Sequence, residues 1–170
     1  MKFLVLTDIH GSSKFLKLAI DKFNELECEK ILLLGDILYH GPRNDLPLEY
    51  NPKEVISILN SYKEKILCVK GNCDAEVDEM VLEFPLYPTI MLNVNGVKLE
   101  LIHGHNLEEC SGEGYVLHGH THINSVDEKV INIGSLSIPK DDHHTYAVID
   151  GNMLTAYDLL TDKVIMSVKL

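Results

Sequence analysis

The chain opens on KFLVLTDIH at residues 2–10, an apolar run that ends at once in two polar side chains able to bind a metal ion. Residues 2–7 are rich in Leu, Val and Phe and have the length of a buried strand. Asp8 and His10 follow directly. Ligands of open α/β sheets bind beyond the carboxyl ends of the strands, so this stretch predicts such a sheet with a polar site at its edge.

The first half of the chain repeats this strand and alternates it with helices. We predict further strands at 31–34 and 66–69, a helix at 14–26 capped by Ser12 or Ser13, and a second helix from Pro52 to about Tyr62. Strands that alternate with helices in this way indicate a parallel sheet with right-handed crossovers. The longest irregular loop, 38–51, lies between the second strand and the second helix.

The second half contains short strands and tight turns. Strands at 89–94 and 97–102 flank Asn95-Gly96, which is a strong signal for a tight hairpin. Further strands are predicted at 115–117, 124–127, 130–133, 146–149, 154–158 and 164–170. We expect this half to be mostly antiparallel and the whole chain, residues 1–170, to form a single domain.

Composition limits the classes of function. The chain has 170 residues, 45% apolar and 24% charged, and a net charge of −11, which is ordinary for one globular domain. The negative charge argues against stable binding to nucleic acid or to an anionic membrane. No apolar run approaches the roughly 20 residues that span a bilayer. The four cysteines lack paired spacing, so we expect free thiols and a cytoplasmic location.

Five apolar runs end in residues that can bind metal. The blocks that follow these runs are Asp8-Ile9-His10, Gly35-Asp36, Gly71-Asn72-Cys73-Asp74, His103-Gly104-His105 and Gly119-His120-Thr121-His122. Each block alone is as well explained by a turn, a helix cap or a structural histidine. Together they supply seven candidate donors, too many for one tetrahedral site. The donors are Asp8, His10, Asp36, Asn72, His103, His120 and His122.

This donor set suits two metal ions with a shared carboxylate. Its mixture of oxygen and nitrogen ligands favours Mn²⁺, Fe or Zn²⁺. Two such ions would clamp the attacking and leaving oxygens of a phosphoryl group. A hydroxide held between them would be available at neutral pH, since metals lower the pKa of bound water.

The five blocks, in this order, resemble the motifs of the calcineurin-like metallophosphoesterase superfamily: D-x-H, G-D, G-N-[HC]-[DE], H and G-H-x-H. Residues 40–44, 132–135 and 137–140 are further similar to a bacterial phosphodiesterase branch of that superfamily. The resemblance implies an α/β fold, a four-layer α/β/β/α sandwich with two mixed β-sheets. It also implies a phosphodiesterase with a dinuclear metal centre, a bridging hydroxide and a small phosphodiester substrate.

The resemblance also implies roles for individual residues. One metal ion would be held by Asp8, His10, Asp36 and His122, and a second by Asp36, Asn72, His103 and His120. We expect Mn²⁺ first, with Zn²⁺, Fe or Ni²⁺ as alternatives. Among the catalytic candidates, Asp36 and Asn72 act as ligands, and Cys73 stands where many relatives have the histidine proposed as general acid.

Two further residues complete the catalytic candidates. His105 is our candidate for the general acid, in place of the histidine that is absent at position 73. Arg43 is a candidate to bind the phosphate in bidentate fashion. Relatives often form dimers or tetramers, so a homo-oligomer is possible. The competing hypothesis is a non-catalytic metal-binding scaffold of the same fold, like the retromer subunit of this superfamily. A hydrolase of C–N or C–O bonds is less well supported, because the chain is too short for an amidohydrolase barrel.

Overall fold

The computed structural model describes residues 1–170 and contains twelve strands in two mixed sheets. The strands are β1 (Lys2–Leu6), β2 (Lys30–Leu33), β3 (Ile66–Val69), β4 (Leu86–Tyr87), β5 (Ile90–Val94), β6 (Val97–Leu101), β7 (Tyr115–His118), β8 (Asn124–Asp127), β9 (Val130–Ile133), β10 (Thr145–Asp150), β11 (Met153–Asp158) and β12 (Val164–Lys169). The helices are α1 (Ser13–Glu25), α2 (Pro52–Ser61) and α3 (Glu76–Glu79), with 3₁₀ turns at Lys63–Lys65 and Leu107–Glu109. This arrangement confirms the predicted α/β class.

The larger sheet has seven strands in the order β12-β11-β10-β1-β2-β3-β4. Strands β1 to β4 are parallel, as the alternating first half predicted. Strand β10 pairs antiparallel with β1 and brings β11 and β12 into the same sheet. Strand β1 therefore lies inside the sheet, between one neighbour from each end of the chain.

The smaller sheet has five strands in the order β5-β6-β7-β9-β8. We expected the second half of the chain to be mostly antiparallel, and four of the six strand pairs among β5–β12 are. The two parallel pairs are β6 with β7, where the loop at 102–114 crosses over, and β7 with β9, where β8 intervenes along the chain. The hairpin at Asn95-Gly96 is confirmed, and both residues have the positive φ, 52° and 87°, that a type I′ turn requires.

Side chains of the central strands alternate between two hydrophobic cores. In β1, Leu4 and Leu6 pack in the core that also contains α1 and α2, whereas Phe3 and Val5 pack between the two sheets. The intersheet core also receives Leu101 from β6. This alternation follows from the two-residue period of a strand, and it holds the two sheets face to face.

Local signals explain where the helices begin. Helix α1 begins after Ser12, whose hydroxyl oxygen accepts the Phe15 N–H at 3.5 Å, and α2 begins at Pro52 after the cap Asn51. Helix α3 and strand β4 were not predicted, since four and two residues are too few to show a hydrophobic period.

No helix has both the length and the apolar character needed to cross a membrane.

The outer face of the smaller sheet is covered by a loop that carries only the 3₁₀ turn Leu107–Glu109. There the buried Glu100 carboxylate accepts hydrogen bonds from the Ser111 N–H and hydroxyl, the latter at 2.7 Å.

Three of the five predicted donor blocks follow parallel strands of the larger sheet, and two follow parallel strands of the smaller one. All five strand ends reach the same edge of the molecule.

Packing in the intersheet core should contribute strongly to stability. Leu101 is fully buried there, so Leu101→Ala should lower the free energy of unfolding by about 2–5 kcal/mol through lost burial and a cavity. Met91→Ala, on the neighbouring strand but 49% exposed, is the matched control and should change it by less than about 1 kcal/mol. Urea denaturation measures both. Equal losses in the two variants would contradict this placement of the core.

Candidate metal centre

The backbone is sharply bent at the donors that follow three of the five strands, β1, β2 and β7. Side chains other than glycine seldom adopt a positive φ, because the Cβ atom crowds the neighbouring carbonyl. Five of the seven candidate donors have one: Asp8 (52°), His10 (47°), Asp36 (56°), His120 (69°) and His122 (63°). Strain of this kind concentrates at functional sites, where the surrounding structure holds it in place.

One group of donors consists of Asp8, His10 and His122, all buried. The Asp8 Oδ1 atom lies 3.1 Å from His122 Nε2 and 3.4 Å from His10 Nε2. The two ring nitrogens are 3.3 Å apart. These three atoms therefore converge on one point.

A second group consists of His103, Asp36 and Asn72. The His103 Nε2 atom lies 3.3 Å from Asp36 Oδ2 and 3.0 Å from Asn72 Oδ1. The His120 ring completes the group, with its centroid 5.1 Å from that of His103. Because Asp36 Oδ2 is also 3.7 Å from His10 Nε2, its carboxylate lies between the two groups.

Backbone carbonyl groups set which ring nitrogen faces the site. The Nδ1 atoms of His10, His103 and His122 lie 2.7, 2.7 and 2.6 Å from the carbonyl oxygens of Tyr39, Leu34 and Ile138. A carbonyl only accepts, so each Nδ1 carries the donated proton. In a neutral ring each Nε2 then presents a lone pair to the site, as in histidine ligands of metals.

The positions of these ring protons show whether the residues fit a metal ion. The fully buried Asp8 Oδ1 faces the lone pairs of two imidazoles and has no hydrogen-bond partner. Three electron-rich atoms within 3.4 Å repel one another unless a positive charge lies among them. Carboxylate and imidazole ligands in this combination suit Mn²⁺, Fe or Zn²⁺. The residues therefore fit a bound metal ion.

The remaining carboxylate oxygens are held by hydrogen bonds. Asp8 Oδ2 accepts the Thr7 hydroxyl at 2.8 Å and the His120 N–H at 3.0 Å. Asp36 Oδ1 accepts the Cys73 N–H at 2.8 Å. Each carboxylate therefore keeps one oxygen aimed at the histidines.

Charges in the site perturb one another. Burial opposes ionisation of Asp8, but His10 and His122 outweigh it and hold the pKa of Asp8 well below its usual range. The pKa of Asp36 is lowered despite burial, mainly by its hydrogen bond to His103. Burial lowers the pKa of His103, yet Asp36 and Asp8 raise it to about 9 overall. Both carboxylates are thus ionised near neutral pH, and a cation that takes His103 as a ligand displaces a proton.

Asp74 supports the backbone of the site. Its buried carboxylate accepts the backbone N–H groups of Asp36, Ile37 and Gly71 at 2.9, 2.8 and 2.7 Å. The carboxylate is therefore enclosed by the turn after β2 and does not face the histidine rings. A Cβ atom at Gly71 would collide with the Asp36 carboxylate, so only glycine fits there.

Cys73 lies beside the donors. Its Sγ and the donor atoms of His10 and Asp36 all lie within 4.8 Å of one another. Burial, together with the charge of Asp36, raises the pKa of Cys73 to about 12. The thiol is therefore protonated at neutral pH and is a weak acid.

An open cleft of about 770 Å³ gives access to the donors. Arg43, which is exposed, and Cys73 line it together with His10, Asp36, Asn72, His120 and His122. His105 does not line this cleft. It is exposed in a neighbouring cavity of about 290 Å³ on the His103 side, and its ring centroid is 5.6 Å from that of His103.

Some contributors were not predicted. The carbonyl groups of Tyr39, Leu34 and Ile138 orient the histidines, and Lys140 lines the cleft. Backbone carbonyls carry no signal in residue types. Lys140 could have been noticed, since Pro139-Lys140 lies in a stretch already singled out for its resemblance to a family.

Two β-sheets whose strand ends bring aspartates, an asparagine and histidines together define the class of protein. The chain belongs to the calcineurin-like phosphoesterase superfamily, whose domain matches residues 1–153. Metal binding and phosphate-ester hydrolysis are the properties of that class.

Individual relatives show how similar the chain is to known proteins. The chain is 35% identical over 179 aligned positions to phosphodiesterase YfcE of Escherichia coli strain K12, which covers 99% of this chain and 97% of that protein. The solved structure of the E. coli YfcE phosphoesterase superposes with a TM-score of 0.94 at 34% identity, covering 99% of each chain. Zinc-complexed Vps29 from Entamoeba histolytica shares the fold, with a TM-score of 0.65 at 20% identity over 99% of this chain and 98% of that one.

Asp74→Asn should weaken the metal centre without removing a donor. The amide replaces one acceptor oxygen by an N–H₂ donor, which then faces a backbone N–H and costs about 1–3 kcal/mol. We expect at least tenfold weaker binding of Mn²⁺, measured by titration calorimetry. Asp78→Asn is the control. Asp78 is also buried, but its carboxylate accepts the N–H of Ala75, the residue before α3, and not an N–H of the donor turns. Unchanged Mn²⁺ affinity in Asp74→Asn would show that Asp74 does not shape the centre.

Proposed function

We propose that this protein is a metal-dependent phosphodiesterase with a dinuclear centre. One observation carries the proposal: the Asp36 carboxylate lies between two donor groups, 3.7 Å from His10 Nε2 and 3.3 Å from His103 Nε2. Asp8, His10, Asp36 and His122 would hold one ion. Asp36, Asn72, His103 and His120 would hold the other. We take Mn²⁺ as the first choice, with Zn²⁺, Fe or Ni²⁺ as alternatives.

Two bound divalent ions would supply Lewis-acid charge to the phosphate and, by lowering the pKa of a water molecule, a nucleophile at neutral pH. The protein's own residues prepare the site for this chemistry. Buried, ionised Asp8 and Asp36 balance positive charge, and the carbonyl groups that accept from Nδ1 keep the histidines correctly turned. The exposed Asn72 side chain lies at the surface of the cleft, where a substrate arrives.

Proton transfer to the leaving alcohol needs a general acid. Burial and the negative charge of Asp36 raise the pKa of the Cys73 thiol, whereas bound cations would lower it, so Cys73 stays a catalytic candidate beside a histidine. His105 stays our candidate. It is exposed, and its ring is 6.1 Å from that of His120, centroid to centroid, next to the second donor group.

The relatives support the diesterase over the scaffold. Phosphodiesterase YfcE matches nearly the full length of both chains. The Vps29 proteins are similar only at the level of the fold, at 20% identity or less. A scaffold would also have no need for five strained strand-end residues gathered in two adjoining donor groups. The cleft of about 770 Å³ suits a small diester.

Metal dependence is the first test. Protein treated with chelator should be inactive towards bis-p-nitrophenyl phosphate and should regain activity with Mn²⁺, and to different extents with Zn²⁺, Ni²⁺ or Mg²⁺. Hydrolysis of p-nitrophenyl phosphate, the monoester, should remain low. Asp36→Ala should lose turnover by at least about a thousandfold, because both ions lose a ligand. Absence of turnover with every metal, despite two ions bound per chain, would favour the scaffold.

Arg43 should contribute to substrate binding. A guanidinium that grips a phosphate in bidentate fashion contributes about 1.5–3 kcal/mol. Arg43→Ala should therefore raise KM about tenfold or more and change kcat less, in steady-state kinetics on bis-p-nitrophenyl phosphate. Arg43→Lys keeps the charge but not the fork, so its KM should be intermediate. Wild-type kinetics in both variants would remove Arg43 from the site.

A further inference from the structure

The cleft reverses the charge of the protein that surrounds it. The chain carries 26 acidic and 15 basic residues, a net charge of −11. Among the residues that line the cleft, however, Asp36 is the only carboxylate, whereas Arg43 and Lys140 are both cationic. The protein as a whole is acidic, so two cations at the mouth of its cleft indicate that the cleft prefers an anionic ligand.

Neither of these cations is neutralised by the protein. Six other lysines form ion pairs with carboxylates, among them Lys63 with Glu83 at 2.5 Å and Lys98 with Glu113 at 2.5 Å. Arg43 and Lys140 form none, and neither do seven further lysines, so what sets these two cations apart is that both line the cleft. The acid next to Lys140 in sequence, Asp141, already accepts the backbone N–H of Asn124 at 2.6 Å and its side-chain amide at 2.8 Å.

Both cations lie on loops anchored to the candidate centre. The Tyr39 carbonyl, which accepts from His10 Nδ1 at 2.7 Å, begins the loop that leads to Arg43. The Ile138 carbonyl accepts from His122 Nδ1 at 2.6 Å, and the Lys140 N–H donates back to the His122 carbonyl at 2.9 Å. The two cations therefore approach the cleft from two different loops, each tied to a different histidine.

A simple phosphodiester does not need both cations. It carries one negative charge, which the candidate centre and Arg43 already neutralise under the function proposed above. We propose that Lys140 is a specificity residue that binds a second anionic group, a carboxylate or a phosphate, on one ester arm of the substrate. This inference rests on the proposed function, and it names a substrate class: phosphodiesters with one charged arm.

Matched substrates test the inference. Three p-nitrophenyl diesters of equal length share a leaving group and differ in the second arm: butyl, 3-carboxypropyl and 3-phosphonopropyl. The wild-type enzyme should prefer the charged arms over butyl by about tenfold in kcat/KM. Lys140→Gln should abolish that preference and leave the butyl diester nearly unchanged, and Lys140→Arg should restore most of it. Comparison of the two charged arms distinguishes carboxylate from phosphate as the preferred group.

A binding measurement separates this inference from the catalytic proposal. The methyl monoesters of butylphosphonate and (3-carboxypropyl)phosphonate have a C–P bond in place of the ester link to that arm. Calorimetry on the Mn²⁺-loaded protein should show tighter binding of the carboxylate form, lost in Lys140→Gln and retained in Lys53→Gln, an exposed lysine of α2. The advantage should shrink at high ionic strength.

Two outcomes would overturn the role of Lys140. Equal losses on all three substrates in Lys140→Gln would assign Lys140 to the reacting phosphate instead. Equal binding of both phosphonates to the wild-type protein would show that no second anion is recognised. If none of the three diesters is hydrolysed, the proposed function fails, and the binding series still decides whether Lys140 recognises an anion.

Discussion

The structure depends on electron-rich atoms that face one another at close range. Three carbonyl groups take the Nδ1 protons of His10, His103 and His122, so the opposite ring nitrogens point at the oxygens of Asp8 and Asp36. Such an arrangement is stable only with positive charge among these atoms. The buried carboxylates, the bent strand ends and the hydrogen bonds of Asp74 all serve to hold this arrangement in place.

Holding it costs stability, which the cores offset. A non-glycine residue in the left-handed region costs on the order of 1–3 kcal/mol when its surroundings impose that conformation. Five candidate donors have this conformation, and all follow strands in which every residue but the first is buried. Core packing on both faces of β1 and β2 supplies the rigidity that keeps the bent segments from relaxing.

The sequence predicted the candidate site better than its supports. The strands before Asp8, Asp36 and His103 were recognised because a buried apolar run followed at once by a polar residue leaves a clear pattern. Strand direction in the smaller sheet was not, since direction depends on how the loop at 102–114 crosses over. The partners of Asp74 and the carbonyls behind the histidines escaped prediction because they are backbone atoms, which any residue type provides.

The position of β1 between β2 and β10 has a consequence for biosynthesis. Asp8 is synthesised more than 120 residues before its partners, because its backbone carbonyl accepts hydrogen bonds from the Ser135 and Ser137 hydroxyls, and β1 lacks one neighbour until 145–150 have been made. Contacts so distant in sequence form late and slowly. The donor groups are therefore held in their final positions only after this long-range pairing is complete. A metal ion that requires the whole donor set would bind late in folding, to a domain whose sheets are already paired.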